Sequence, residues 1–148
     1  MQKEWLDAVH GSLPAPDPRE LNPLQMAYIG DTVHDLYVRS MLVASGMSVG
    51  RMHKQAVRMV SAAAQARMLE AIGDELTEEE ADVARRGRNA QAKHAAPKHA
   101  DPADYSHATG LQALWGYLYI PGQNERLCQL MADALERTEE LWHRQSSK

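Results

Sequence analysis

Apolar residues along the chain recur at spacings of three and four, and the runs they form are separated by Pro, Gly and polar clusters. The first long run, 21–43, reads LNPLQMAYIGDTVHDLYVRSMLV. Asn22 suits a helix N-cap, Pro23 the first helical position, and Gln25 can close a capping box. Met26, Ile29, Val33, Leu36 and Tyr37 form its apolar stripe, widened by Ala27 and Tyr28. Gly46 to Gly50 closes this helix and turns the chain. Arg51 to Ile72 then predicts one long helix with Ala56, Val60, Ala64, Met68 and Ile72 on a single face. Its SAAAQA stretch is small enough to let another helix come close, and Gly73 ends it. Thr77 and Glu80 open the next helix as a capping box, with Glu78, Glu79 and Glu80 at the positive end of its dipole. That helix is expected to close at Arg85 and Arg86, with Gly87 just past its end. Asp104 to Ile120 carries an apolar stripe of Leu111, Leu114, Trp115 and Leu118 beside a small, polar one of Thr109, Gln112 and Gly116. After Pro121-Gly122, Asn124 caps a last helix with Leu127, Leu130, Met131, Ala134, Leu135, Leu141 and Trp142 on one side, fraying over 146–148. Residues 1–20 give a short amphipathic piece and then SLPAPDPRE, whose three prolines imply an extended strap with Trp5 docked on the core.

Composition agrees with an all-α fold. Nothing alternates as a strand, and Ala, Glu, Arg, Gln and Met favour helix. At 148 residues the chain is a single domain, 1–148, large enough to bury a real core. A lone cysteine, Cys128, excludes an internal disulfide and a Cys-based zinc site, and it reads as a packing residue. With no signal peptide and no membrane-length apolar run, a cytoplasmic protein with no membrane role is expected. The formal charge of −4 argues against a general nucleic-acid binder. One segment departs from that balance. From Val83 to Ala100 there are five Lys/Arg (Arg85, Arg86, Arg88, Lys93 and Lys98) and no acid. It predicts a flexible basic loop over 87–104, of a length usually reserved for function or disorder. Flexible cations suit duplex RNA, which is recognised by backbone and shape. Arg51, Lys54 and Arg58, by contrast, read as a solvated helix face. His94, His99 and His107 lack ligand spacing and read as polar residues.

The first helix also places an acid where one is costly. Asp31 follows Gly30 inside an apolar run, where a carboxylate needs a cation, a metal or several donors. Gly in a helix interior costs about 1 kcal/mol against Ala, so Gly30 marks close approach by another backbone or a ligand. Asp35 lies one turn on and can face the same point.

The GD within one helix and the T-x-x-[acid]-A-L-x-G pattern within another resemble the ribonuclease III catalytic domain. The chain is most similar to its short Mini-III branch, which lacks a separate double-stranded-RNA-binding domain. The resemblance rests on LNPLQMAYIGDTVHDLYVR (21–39), VSAAAQAR (60–67), LTEEEADVARRGRNA (76–90) and ATGLQALWGYLYI (108–120), in the family's order and over most of the chain. It implies the ribonuclease III endonuclease-domain helical fold. It implies an endoribonuclease that hydrolyses both strands of double-stranded RNA with Mg²⁺, for which Mn²⁺ can substitute. It further implies a homodimer with the Asp31 helix at or near the two-fold axis, acting in maturation of large-subunit (pre-ribosomal) RNA with a ribosomal protein as helper. Asp31 carries over as a catalytic metal ligand, and Gln112 carries over by position only as the second member of the catalytic, metal-holding pair. Within RRGRNA, which is similar to the family's RNA-engaging loop, Arg85, Arg86, Arg88 and Asn89 carry over as RNA-binding residues, and the basic segment adds Lys93 and Lys98 to that set. In one respect the chain departs from the pattern: the family's second acid is a glutamate, and here it is Gln112. The resemblance therefore leaves open an active or weakened nuclease and a nuclease fold with a disabled site. The latter would be an introduced change that traps substrate or a natural conversion to an RNA-binding assembly factor. A helical protein–protein module is the reading without RNA.

Overall fold

A computed structural model describes the backbone of residues 16–146 and the side chains of 16–139. Trp5 and its strap, and the side chains of Leu141 and Trp142, lie outside the described residues. Six helices account for the fold: α1 (Pro23–Ala44), α2 (Val49–Val60), α3 (Ala62–Ile72), α4 (Glu78–Ala92), α5 (Pro102–Tyr119) and α6 (Asn124–Ser146). Short 3₁₀ turns, Pro18–Glu20 and Gly73–Glu75, flank α1 and follow α3. No strand occurs among the described residues.

The helix starts follow from local chemistry. The Asn22 side chain accepts from the Leu24 N–H at 2.9 Å while Gln25 Oε1 accepts from the Asn22 N–H at 2.9 Å, so the capping box forms. Thr77 and Glu80 make the same reciprocal pair at the start of α4. Helix α5 is the axis of the molecule: α1, α3 and α4 all pack along it, and α6 closes over α3. Its Leu111, Leu114, Trp115 and Leu118 are fully buried with Val38 of α1, Met68 and Ile72 of α3, and Leu130 and Met131 of α6.

Two crossings let backbones touch. An added Cβ on Gly30 would lie 1.7 Å from the Gln112 carbonyl oxygen, and one on Gly116 would lie 2.0 Å from the Met26 carbonyl oxygen. The small residues of α1 and α5 thus face each other's backbone, and this fixes where Asp31 and Gln112 emerge.

Several expectations shift. The 51–72 run is two helices, because Ser61 takes an extended ψ of 154° and caps α3 by accepting from the Ala64 N–H. Gly50 is inside α2, so the turn is made around Gly46, whose φ of +76° suits a residue without Cβ. Gly87 does not end α4. It is buried against Ala113 and Gly110 of α5, and α4 continues to Ala92 because this contact needs a small residue rather than a left-handed cap. The non-helical basic segment therefore starts at 93, not 87, and ends where Pro102 opens α5. On α1 the face toward α5 is Met26, Gly30, His34 and Val38, while Leu36 is 65% exposed and Tyr28 86% exposed. Asn124 is the first residue of α6 rather than its cap. Cys128 is exposed on α6 and is not a packing residue.

Candidate active site

The Gly30 contact brings α1 and α5 together one residue from Asp31 and at Gln112 itself. The Gln112 side-chain amide then reaches Asp31, with Nε2 donating to Oδ1 at 3.3 Å. Asp31 is exposed, not enclosed by the apolar run around it, because it lies at the edge of the face that α1 turns to α5, where Gln112 can still reach it. The Gln112 amide bonds its carboxylate at an open surface. Asp35 pairs with Arg39 at 3.4 Å on α1. Among the described residues no group of three or more His, Cys, Asp or Glu is arranged to hold a metal ion.

A third residue completes the site, and the sequence reading did not single it out. Gln65 of α3 is 3% exposed. Its Nε2 donates to the Val60 carbonyl at 2.8 Å, and its Oε1 accepts from Gln112 Nε2 at 3.1 Å. The only signal for it was a long polar side chain within the small-residue stretch SAAAQA. Helices α1, α3 and α5 are thus tied by one chain of bonds, Asp31–Gln112–Gln65–Val60. The chemistry of the partners fixes both amide orientations. A backbone carbonyl can only accept, so Gln65 turns its NH₂ to Val60 and its oxygen to Gln112. Gln112 then faces an acceptor on either side and presents its NH₂.

That orientation bears on any divalent cation. A hard cation takes oxygen ligands, and toward Asp31 the Gln112 side chain presents a donor, not an oxygen. The donor set as folded, one carboxylate facing an NH₂, does not fit such an ion.

Behind the site, His34 is almost fully buried. Trp115 Nε1 donates to His34 Nδ1 at 3.1 Å, and His34 Nε2 lies 2.9 Å from the Met59 carbonyl. Indole nitrogen is only a donor, so Nδ1 is the acceptor and Nε2 carries the proton. The ring is neutral, and burial holds its pKa below the ordinary histidine value.

The RNA-binding candidates are divided by the course of α4. Arg85, Arg86, Arg88 and Asn89 lie on its last turns, Lys93 at its C-cap and Lys98 in the connection to α5. Arg85 pairs with Asp82, and Arg88 is half-buried beside Leu69 and Leu76. Arg86, Asn89, Lys93 and Lys98 are exposed. Gly87 sits against the Thr109 carbonyl, so the basic turn meets α5 three residues before Gln112, about 4.5 Å along its axis. His107 Nδ1 lies 2.7 Å from the Ala103 carbonyl.

Comparison with known proteins gives a consistent result. The model of the ribonuclease III domain family matches residues 24–123. A Mini-ribonuclease 3 of Symbiobacterium thermophilum is 48% identical over 125 residues, covering 82% of this chain and 95% of that protein. A Mini-ribonuclease 3 of Brevibacillus brevis is 44% identical over 135 residues, covering 90% and 94%. A crystal structure of a Fusobacterium nucleatum protein superposes with a TM-score of 0.72 at 23% identity, over 81% of this chain and 96% of that one, and supports the fold.

Proposed function

Because the chain belongs to the ribonuclease III domain family, among relatives named Mini-ribonuclease 3, we propose that it is an endoribonuclease-fold protein acting on double-stranded RNA, with hydrolysis impaired by Gln112. The observation that carries this reading is the apposition of Asp31 and Gln112 over the Gly30 crossing. Two polar side chains from helices distant in sequence meet there at an open surface.

The family works with a divalent cation, expected to be Mg²⁺ with Mn²⁺ as substitute, which when bound supplies charge neutralisation at the phosphate and an activated water. Asp31 retains one of the two anionic ligands. Gln112 removes the other charge and aims a donor where an oxygen is needed, so cation binding at this pair is weak. The same side chains suit RNA binding without cutting. The exposed Arg86, Lys93 and Lys98 contact phosphates. A catalytically silent RNA-binding or ribosome-assembly protein is the second reading, favoured by the Gln112–Asp31 bond.

The pair of strands calls for a pair of sites, and we assign that role to a homodimer. Tyr28, Leu36 and Val43 are exposed apolar residues on the outward side of α1, the kind of surface a second copy covers. Processing of large-subunit ribosomal RNA, with a ribosomal protein as partner, is the task this reading assigns. No helix among the described residues is long and apolar enough to cross a membrane.

The test is binding of a duplex RNA against a single strand of the same sequence, measured at two salt concentrations. Preferential duplex binding with a salt-dependent affinity is expected. Absence of duplex binding would contradict the proposal.

A further inference from the structure

We infer that Gln65 is a positioning residue of the site: it selects which end of the Gln112 amide faces Asp31, and thereby sets the affinity of the pair for a divalent cation. The inference rests on the reading of Asp31 and Gln112 given above. An amide can rotate half a turn and exchange its oxygen for its NH₂ at little steric cost, so the bonds on either side decide the outcome. Asp31 alone provides one acceptor, at the surface and at 3.3 Å. Gln65 provides a second, buried and closer at 3.1 Å. Its oxygen cannot be exchanged for a donor, because that would turn the Gln65 carbonyl onto the Val60 carbonyl now bonded at 2.8 Å. The backbone break at Ser61 is what leaves the Val60 carbonyl available to the Gln65 side chain rather than to a continuing helix. The lock thus runs from a kink between α2 and α3 to the surface of the site.

Rotating Gln112 to offer its oxygen to a cation at Asp31 would break two bonds and set two oxygens against each other at Gln65. Without Gln65's oxygen only the Asp31 bond opposes the rotation. The lost bond corresponds to about a fivefold change in affinity for one ordinary hydrogen bond.

The experiment is Mn²⁺ binding, followed by electron paramagnetic resonance, to the chain as written, to Gln65→Met and to Gln112→Glu. Gln65→Met is expected to bind Mn²⁺ roughly fivefold more tightly than the chain as written, an effect that loss of a purely structural bond would not produce. Gln112→Glu is expected to tighten binding further. Tightening by Gln112→Glu with none by Gln65→Met would overturn the role of Gln65 while leaving the site intact. No tightening by Gln112→Glu would mean that the pair is not the cation site, and the inference would fall with it. If Gln65→Met does not fold, the unsubstituted protein decides. The side-chain NH₂ resonances of Gln112 should be protected from solvent exchange and unmoved by millimolar Mg²⁺, and exchange as fast as in a surface glutamine would overturn the inference.

Discussion

At the scale of single residues, His34 and Glu80 both carry lowered pKa values, so each costs stability on acidification, but in different pH ranges and for different reasons. His34 is neutral when folded, with its pKa lowered by burial, whereas in the unfolded chain it titrates near its ordinary value. Between the two values only the unfolded chain takes up the proton, so stability falls as pH drops below about 6.5 and this loss ends below the folded value. Protonation would also place an N–H against the Trp115 N–H. Urea unfolding at about pH 7.5 and about pH 5.5 should show this loss, and His34→Gln should lower stability by roughly 1–2 kcal/mol while reducing the pH dependence. An unchanged pH dependence in that variant would remove His34 from the account. Glu80 behaves differently. Its carboxylate is bonded by both Arg126 Nε and Nη2, and the Arg126 guanidinium holds its pKa below the ordinary glutamate value. Its contribution is present above the unfolded value and is lost as pH falls through the folded one, a separate and more acidic step.

At the scale of elements, packing decides what the sequence pattern leaves open. Gly30→Ala places a methyl on the Gln112 backbone. Neither helix can give way without moving Met26 from Gly116, so a loss of about 3 kcal/mol is expected in urea unfolding. A loss under about 1 kcal/mol would mean that the crossing is looser than described. Much of this scaffold was legible in the sequence. The capping boxes at Asn22 and Thr77 were readable because their partners are three residues away, and Gly30 because a glycine amid apolar helix residues is costly. Gly87 was misread for a physical reason. After Arg85 and Arg86 it has the local character of a helix end, and only Ala113 and Gly110, distant in sequence, make it an interior contact. Gln65 and His34 were missed likewise, since their partners Gln112 and Trp115 lie on α5. The course of α4 also sharpens the RNA-binding prediction. Arg86→Ala with Lys93→Ala and Lys98→Ala should weaken duplex-RNA binding and flatten its salt dependence by about one phosphate contact per removed cation. Arg85→Ala should do less, as Arg85 is already paired with Asp82. Equal affinity and slope in the triple variant would take the basic segment out of the RNA contact.

At the scale of the whole molecule, one chain offers one Asp31–Gln112 pair, and cutting two strands asks for two. Leu36→Asp, at a residue 65% exposed on α1, should convert a dimer to a monomer in sedimentation without unfolding it; a dimer that survives this change would place the interface elsewhere. Under the proposed function, this molecule keeps the fold of a duplex-RNA nuclease while Gln112 holds back its chemistry. A neutral amide fits the space of a carboxylate and spares the helices, and in the proposed function its lack of charge and of a proton acceptor is what slows hydrolysis. The most direct measurement is the Mg²⁺-dependent rate of duplex-RNA cleavage by the chain as written beside its Gln112→Glu form, with Asp31→Asn in the latter as control. Little or no cutting by the chain as written is expected, with a sharp rise in Gln112→Glu and its loss with Asp31→Asn; comparable cleavage with glutamine and with glutamate at 112 would contradict the proposed function.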